Sequence, residues 1–274
     1  MLRSSVAPFL LLLIFTSLTA AQTRPPQLPS TYNLVFNGTF STLNISPNSV
    51  KRTGNYGDYT WYDGLWWETA VSPLSDMTTS NSVLALNVKV PNSSKVYDTT
   101  IATAAPDASY YRAWQFGYFE ANLKWQNTST GAWPAFWMLP VEWIEGATTA
   151  GEIDVMEGQG GAYPNTVFGT VHEWVNGADE WNNESSNAYK VAAGVNLSQY
   201  HTYGVLWTPG SLTWYLDNQP MFTVTGYPSV IDNQHYYLIL ASQEGVNWTE
   251  GNTSGVRRNT NFEVQVNWVH VWQQ

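Results

Sequence analysis

Three carboxylic acids stand within six residues in Gly151-Glu152-Ile153-Asp154-Val155-Met156-Glu157-Gly158. Carboxyls this close do chemistry when one is ionised and attacks carbon while another keeps a proton for a leaving oxygen. That is the division of labour in glycoside hydrolysis. Repulsion between neighbouring acids raises the pKa of one of them and helps to hold that proton. The three must then share a face. On a helix turning about 100° per residue they fall near 0°, 200° and 140°, which is no single face. On a regular strand Glu152 and Asp154 share a side and Glu157 points away. A β-bulge between Asp154 and Glu157 sets two residues opposite one and returns all three acids to the same side. Ile153 and one or both of Val155 and Met156 then point into a core. Glu152 and Glu157 behave like i and i+4, with Cα atoms roughly 13 Å apart. Leaning side chains can bring the carboxyls toward the ~5–5.5 Å of a retaining enzyme, while ~6.5–9.5 Å leaves room for the water of an inverting one. Chain spacing leaves both open, and a solvated polar strand would show the same six residues.

The elements around the acids read as strands. Val83-Leu84-Ala85-Leu86-Asn87-Val88-Lys89-Val90 is β-branched and apolar and stops at Pro91. Residues 115–125 alternate apolar and polar over their second half. Residues 202–224 predict three strands joined at Pro209-Gly210 and Asp217-Asn218, both residue pairs suited to hairpins. Residues 261–272 alternate, with Phe262, Val264, Val266 and Trp268 expected on one face. No long stretch keeps a capped helical period. Many short strands with regular turns predict an all-β, two-sheet antiparallel sandwich, one concave face of which can hold an extended polymer.

Composition narrows the partners. The 274 residues carry a net charge of −10, and no Lys/Arg run exceeds two. A nucleic acid or an anionic membrane surface needs a positive footprint, so neither is expected. A neutral polymer fits better than a strongly anionic one. The 15 Trp and 16 Tyr exceed what a core needs, and aromatic faces are what sugar rings stack on. Residues 1–21 read as a secretory signal peptide, with Arg3, an apolar run from Phe9 to Phe15, and small residues Thr19-Ala20-Ala21. Residues 22–33 read as a short Pro-rich linker and 34–274 as a single domain. Asn-x-Ser/Thr sequons at Asn37, Asn44, Asn92, Asn127, Asn183, Asn196, Asn247 and Asn252 suggest a glycosylated secreted protein. With no cysteine, disulfides, thiol chemistry and Cys-bound metal are excluded.

Further motifs flank the acids in order: Gly117-Tyr118-Phe119-Glu120-Ala121, Ala132-Trp133-Pro134-Ala135-Phe136-Trp137-Met138-Leu139-Pro140, Gly169-Thr170-Val171-His172 and Tyr200-His201-Thr202-Tyr203-Gly204-Val205-Leu206-Trp207. In order and spacing, residues 36–272 resemble glycoside hydrolase family 16, the laminarinase-like endo-β-1,3(4)-glucanases with the bulged motif. The resemblance implies a concanavalin-like β-jelly roll with a cleft on its concave face, and retaining hydrolysis of β-1,3- or β-1,3/1,4-glucan. It implies Glu152 as nucleophile, Asp154 as assisting acid and Glu157 as acid/base. It implies sugar stacking by Trp133 and Trp137, which sit four apart on one strand face. His172 is expected to touch sugar or a catalytic acid, Trp174 and Trp248 to line the cleft, and Glu120 to face either the cleft or solvent. The loop 141–150 is expected at the cleft edge.

Departures from the family pattern are equally specific. Acids that can hold a structural calcium in the family are replaced by Gly38-Thr39-Phe40 and by Asn267, so no tight calcium is expected there. Asn122 stands where an Arg commonly follows Phe-Glu-Ala, and Leu240-Ala241-Ser242-Gln243-Glu244-Gly245-Val246 replaces a Gly-rich stretch; both changes could touch subsites. No cofactor is expected, and His172 has no other His or Cys at metal-binding spacing. The expected molecule is a monomer acting on a polysaccharide. Rivals are a hydrolase or transglycosylase for another β-linked polymer, such as a galactan or an exopolysaccharide, and a lectin-like glucan binder.

Overall fold

The computed structural model describes residues 22–68, 72–92, 95–126, 131–161, 163–244 and 262–274. The strands pair into two antiparallel sheets. One, the back sheet, runs in the order Gln219–Thr225, Ser211–Leu216, His201–Thr208, Gly117–Trp125, Phe262–Gln273, Val83–Asn92, Met77–Ser80, with Asn33–Thr39 also paired to Phe262–Gln273. The other, the site sheet, runs Ala178–Asn182, Val171–Val175, Thr149–Gly158, Ala132–Pro140, Tyr236–Glu244, Thr99–Ala102, Tyr62–Asp63. This is the two-sheet sandwich expected from the sequence.

The core lies between the sheets. Phe119, Leu123, Val205 and Val266 of the back sheet meet Phe136, Met138, Ile153 and Leu238 of the site sheet, all fully buried. Each such side chain contributes about 1.5–3 kcal/mol by leaving water. The hairpins form where expected. Asp217 and Asn218 both take positive φ (49° and 64°), the conformation a two-residue turn between twisted strands requires.

At one end the site sheet is covered on its outer face too. Leu139, Tyr237 and Ile239 pack under Leu65, Ala104 and Val141. That cover explains why Ala132–Pro140 reads as a nearly unbroken apolar run rather than an alternation. It stops short of the acids and forms one bank beside them.

Three expectations change. Trp268 does not share the face of Phe262, Val264 and Val266. The register against Gly117–Trp125 shifts between Val266 and Trp268, so Val269 and Val271 take over the core face and Trp268 stacks on His270 outside it (centroids 4.1 Å apart). The Pro-rich stretch after residue 21 is more than a linker: Leu28 and Tyr32 are buried against Tyr118 and Trp272 on the outer face of the back sheet. Asn122 touches no subsite. It lies on the back sheet, where its Oδ1 accepts from Asn267 Nδ2 at 2.6 Å. Two of the departures from the family pattern are thus partners of each other.

Candidate active site

The acids stand on the central strand Thr149–Gly158 of the site sheet. Against Ala132–Pro140 its register shifts between Asp154, opposite Trp137, and Met156, opposite Phe136. Val155 is the extra residue, and this is the expected bulge. Ile153, Val155 and Met156 are all buried in the core. Glu152, Asp154 and Glu157 therefore emerge together and line one cleft of about 980 Å³. Gly151 sets the strand's approach: a Cβ there would stand 1.9 Å from the Tyr236 hydroxyl and 2.6 Å from Ile231 Cδ1.

Indoles hold the two glutamates. Trp174 Nε1 donates to Glu152 Oε2 at 2.8 Å, and Trp133 Nε1 donates to Glu157 Oε1 at 2.8 Å. Asp154, 3% exposed, shares a hydrogen bond with Glu152. His172 sits opposite Glu152 on the neighbouring strand. Its Nε2 lies 3.3 Å from Asp154 Oδ2 and its Nδ1 2.9 Å from Asp179 Oδ2. His172 thus bridges the two carboxyls through its ring nitrogens, Nδ1 toward Asp179 and Nε2 toward Asp154.

Burial pushes all three carboxyls up from their ordinary values, and neighbouring acids add to it. Glu152 is raised by burial and then by Asp154, against His172 and the Trp174 N–H. Asp154 is raised by burial and then by Glu157. Glu157 is raised by burial, with Trp133 and His172 opposing. Burial and mutual repulsion disfavour three ionised carboxylates together, so the cluster takes up a proton more readily than isolated carboxyls do. Asp154 and Glu152 share a hydrogen bond, so one proton can serve the pair. A proton on Glu157 makes it an acid.

Trp133 and Trp137 share the outer face of their strand, both half-buried, as expected. Trp174 lines the cleft. Glu120 does not belong to the site. It lies on the back sheet, 2% exposed, accepting the Trp272 N–H at 2.7 Å beside His270. Alternation gives the face of a strand residue but not which sheet the strand joins. Trp248 lies outside the described residues.

The fold adds residues that sequence spacing did not single out. Asp179 and Glu184 converge on His172, and these three, like Glu152, Asp154 and His172, each offer an atom within 4.8 Å of the others. Such a group could hold a metal ion; among the described residues no other His or Cys joins His172 there, and its neighbours are all carboxylates. The His172–Asp179 hydrogen bond accounts for the arrangement without an ion. Trp66, Trp67 and Trp143 also border Glu152. The tandem Trp66-Trp67 was a legible signal, because two neighbouring large aromatics are more than one turn buries: they are 38% and 45% exposed.

Residues 69–270 match the family described as Glycosyl hydrolases family 16. The chain belongs to glycosyl hydrolase family 16. It is 29% identical over 270 residues to glucan endo-1,3-beta-glucosidase A1 of Niallia circulans, covering 87% of this chain and 37% of that protein. To endo-1,3-1,4-beta-glycanase ExsH of Rhizobium meliloti (strain 1021) it is 28% identical, covering 85% and 52%. The chain thus spans about half or less of the length of these relatives. The fold of the family-16 chain matches the endo-1,3-beta-glucanase (laminarinase) catalytic domain of Thermotoga petrophila RKU-1 with a TM-score of 0.65 at 20% identity, over 89% of this chain and 98% of that one. The Bacillus licheniformis beta-glucanase gives 0.60 at 21%, over 87% and 98%. These likenesses show the shared jelly roll.

Proposed function

We propose that this family-16 chain is a secreted endo-β-glycanase that hydrolyses β-1,3- or β-1,3/1,4-glucan with retention of configuration. The observation that carries the reading is the bulge at Val155, which sets Glu152 and Glu157 on one cleft wall, each held by an indole N–H. In the first step Glu152 attacks the anomeric carbon, the bond to the leaving oxygen breaks, and Glu157 gives that oxygen its proton. In the second, Glu157 takes a proton from water, the water oxygen bonds to the anomeric carbon, and Glu152 leaves as carboxylate. Asp154 and His172 orient Glu152 and share the cluster's protons. The glucanase relatives support the glucan, and the acidic net charge favours a neutral polymer.

Secretion rests on the leader-like residues 1–21, and glycosylation on the exposed sequons Asn37, Asn44 and Asn196. Asn183 is excluded from that set. It is buried, its Oδ1 accepts from the Val171 N–H at 2.7 Å, and its Nδ2 faces Gly169 O at 3.5 Å. Among the described residues no helix is long and apolar enough to cross a membrane.

A second reading, a hydrolase for another β-linked polymer, draws on 28% identity over 165 residues to keratan-sulfate endo-1,4-beta-galactosidase of Sphingobacterium multivorum. Reducing-sugar release from laminarin, mixed-linkage cereal glucan, cellulose, agarose and carrageenan decides between them, with Glu152→Gln as control. Release from a glucan, abolished in the control, is expected. Release from agarose or carrageenan alone would replace the first reading with the second.

A further inference from the structure

The register shift that carries Trp268 out of the core leaves an aromatic pair on the outer face of the back sheet. Trp268 is half-buried there and lies nearly parallel to His270, with 14° between the planes and 4.1 Å between centroids. His270 is 1% exposed. A bulge that sets an indole outside the core forgoes burial that the core would have given. The catalytic cleft does not use this ring, because the acids stand on the other sheet.

The strand beside the pair carries a sequon. Asn33–Thr39 pairs with Phe262–Gln273 so that Asn37 stands opposite His270 and Thr39 opposite Trp268. Residues paired in this way share a face, and diagonal neighbours such as Asn37 and Trp268 are roughly 7–8 Å apart. Asn37 and Thr39 are both exposed. Of the exposed sequons Asn37, Asn44 and Asn196, Asn37 alone lies within a strand, where the pleat fixes the direction of its side chain. One half of its amide is already placed. His270 Nε2 lies 3.1 Å from Asn37 Oδ1, and an amide oxygen only accepts, so the ring nitrogen is the donor of this contact. A sugar linked to Nδ2 leaves Oδ1 free to accept. The hydrogen bond from His270 therefore survives modification and holds the amide beside the indole, whereas at the buried Asn183 both amide atoms face the backbone.

The strand also lacks a guard. Among the described residues it pairs with Phe262–Gln273 alone, so its far edge is open. It reads Asn-Leu-Val-Phe-Asn-Gly-Thr, with neither charge nor proline. Open edges template pairing with other chains, and a bulky, solubilising group on such a strand opposes it. The first sugar of an N-linked oligosaccharide is N-acetylglucosamine. Its β-linked ring carries every substituent equatorially, so it offers a flat face of C–H bonds that an indole can cover.

We propose that Asn37 carries an N-linked oligosaccharide whose first N-acetylglucosamine packs on Trp268 and ties the strand Asn33–Thr39 to Phe262–Gln273. The inference rests on the secreted, glycosylated reading above and adds to it a site on the protein for the sugar. Attachment is a glycosyl transfer from an oligosaccharide carried on a lipid diphosphate. Asn37 Nδ2 bonds to the anomeric carbon, the bond from that carbon to the diphosphate oxygen breaks, the diphosphate leaves with the electron pair, and the amide gives up one proton.

The test produces the full chain in a host that N-glycosylates secreted proteins. It is compared with Thr39→Val, which removes the sequon but keeps Asn37 and its contact with His270. Peptide mass spectrometry reads occupancy, and thermal denaturation reads the midpoint. Wild type is expected to carry sugar at Asn37 and to melt about 2–4 °C above Thr39→Val, the shift that one aromatic contact gives in a domain of this size. Trimming by an endoglycosidase that leaves a single N-acetylglucosamine should keep the difference, because the first ring makes the contact. Trp268→Leu keeps His270 covered but removes the flat face, so Trp268→Leu and Trp268→Leu/Thr39→Val should melt together. A difference that persists without Trp268, that vanishes on trimming, or that is absent from the start would overturn the packing while leaving glycosylation intact. Sugar on Asn44 and Asn196 with Asn37 bare would overturn the Asn37 site alone. A chain with no sugar on any sequon would remove the glycosylated reading and the site with it. Should Trp268→Leu fail to fold, trimming and Thr39→Val still decide.

Discussion

At the scale of single residues, Trp174 connects the most chemistry. Its N–H holds Glu152, its ring stacks near-parallel on His172 at 5.7 Å, and its edge walls the hollow beside Glu152. Trp174→Phe keeps the ring and removes the donor. A hydrogen bond to a charged group is worth about 1.5–3 kcal/mol, so kcat should fall roughly tenfold or more. The sign of the pH effect follows from the same bond. The N–H favours ionised Glu152, its loss raises that carboxyl further, and the acidic limb of the rate profile should move to higher pH. A pH–rate profile with its acidic limb unmoved would remove Glu152 as the ionised partner. Glu157 differs in kind, because what it supplies is a proton. Glu157→Ala should regain part of its rate with azide, or with substrates that carry good leaving groups, and no regain would count against its role as acid. Residue types alone pointed to these glutamates. They did not show the indole donors, because which N–H reaches which oxygen depends on register between strands far apart in sequence.

At the scale of elements, the bulged strand positions the acids, and Gly151 positions the strand. Gly151→Ala drives a methyl into the Tyr236 hydroxyl and Ile231. Overpacking of this kind costs about 1–3 kcal/mol, and thermal denaturation should show it as a clear loss of midpoint. The bulge was legible because three acids demanded one face, and the hairpins were legible in Pro209-Gly210 and Asp217-Asn218. Trp268 was misplaced because a bulge with no demanding residues beside it leaves no mark in the alternation. The loop beneath Trp66 and Trp67 carries its own signature. Asp63 is buried with both carboxyl oxygens unpartnered among the described residues, and burial raises it from 3.8 to about 8, with Arg52 opposing. The folded chain thus keeps a proton that the unfolded chain releases at lower pH. Stability from this group is present in acid and falls as pH rises from about 4 toward about 8. Asp63→Asn cannot ionise, so its thermal midpoint should fall less than that of wild type between pH 4 and pH 8. Parallel falls in both proteins would assign the effect elsewhere.

At the scale of the whole molecule, two layers divide the work: the back sheet carries structure and the site sheet carries chemistry. Glu120 shows the limit of reading such a plan from one chain. Its acidity suggested the cleft, but its strand pairs with His201–Thr208 and Phe262–Gln273 in the back sheet, where Trp272 and His270 surround it. Charge and alternation are local, whereas membership of a sheet is set by partners distant in sequence, here Gly204 and His270 opposite Glu120. The Asn122–Asn267 pair belongs to the same layer and supplies amides where the family pattern supplies charge. Calcium prefers charged oxygens, so adding calcium should leave the thermal midpoint unchanged, and a rise reversed by a chelator would reveal a site.

The buried sequon at Asn183 sets two events in the life of this chain against each other. Its side-chain oxygen is occupied by the backbone N–H that begins the strand of His172. An oligosaccharide on its amide nitrogen would keep that strand from closing over Asp154. In a cell that modifies nascent chains, a molecule that folds first is expected to escape modification at this position, and one that is modified first is expected to lose the Asn183–Val171 bond that seats the His172 strand. Peptide mass spectrometry of the active fraction should therefore find Asn183 bare, and any sugar on it should appear only in chains that failed to fold.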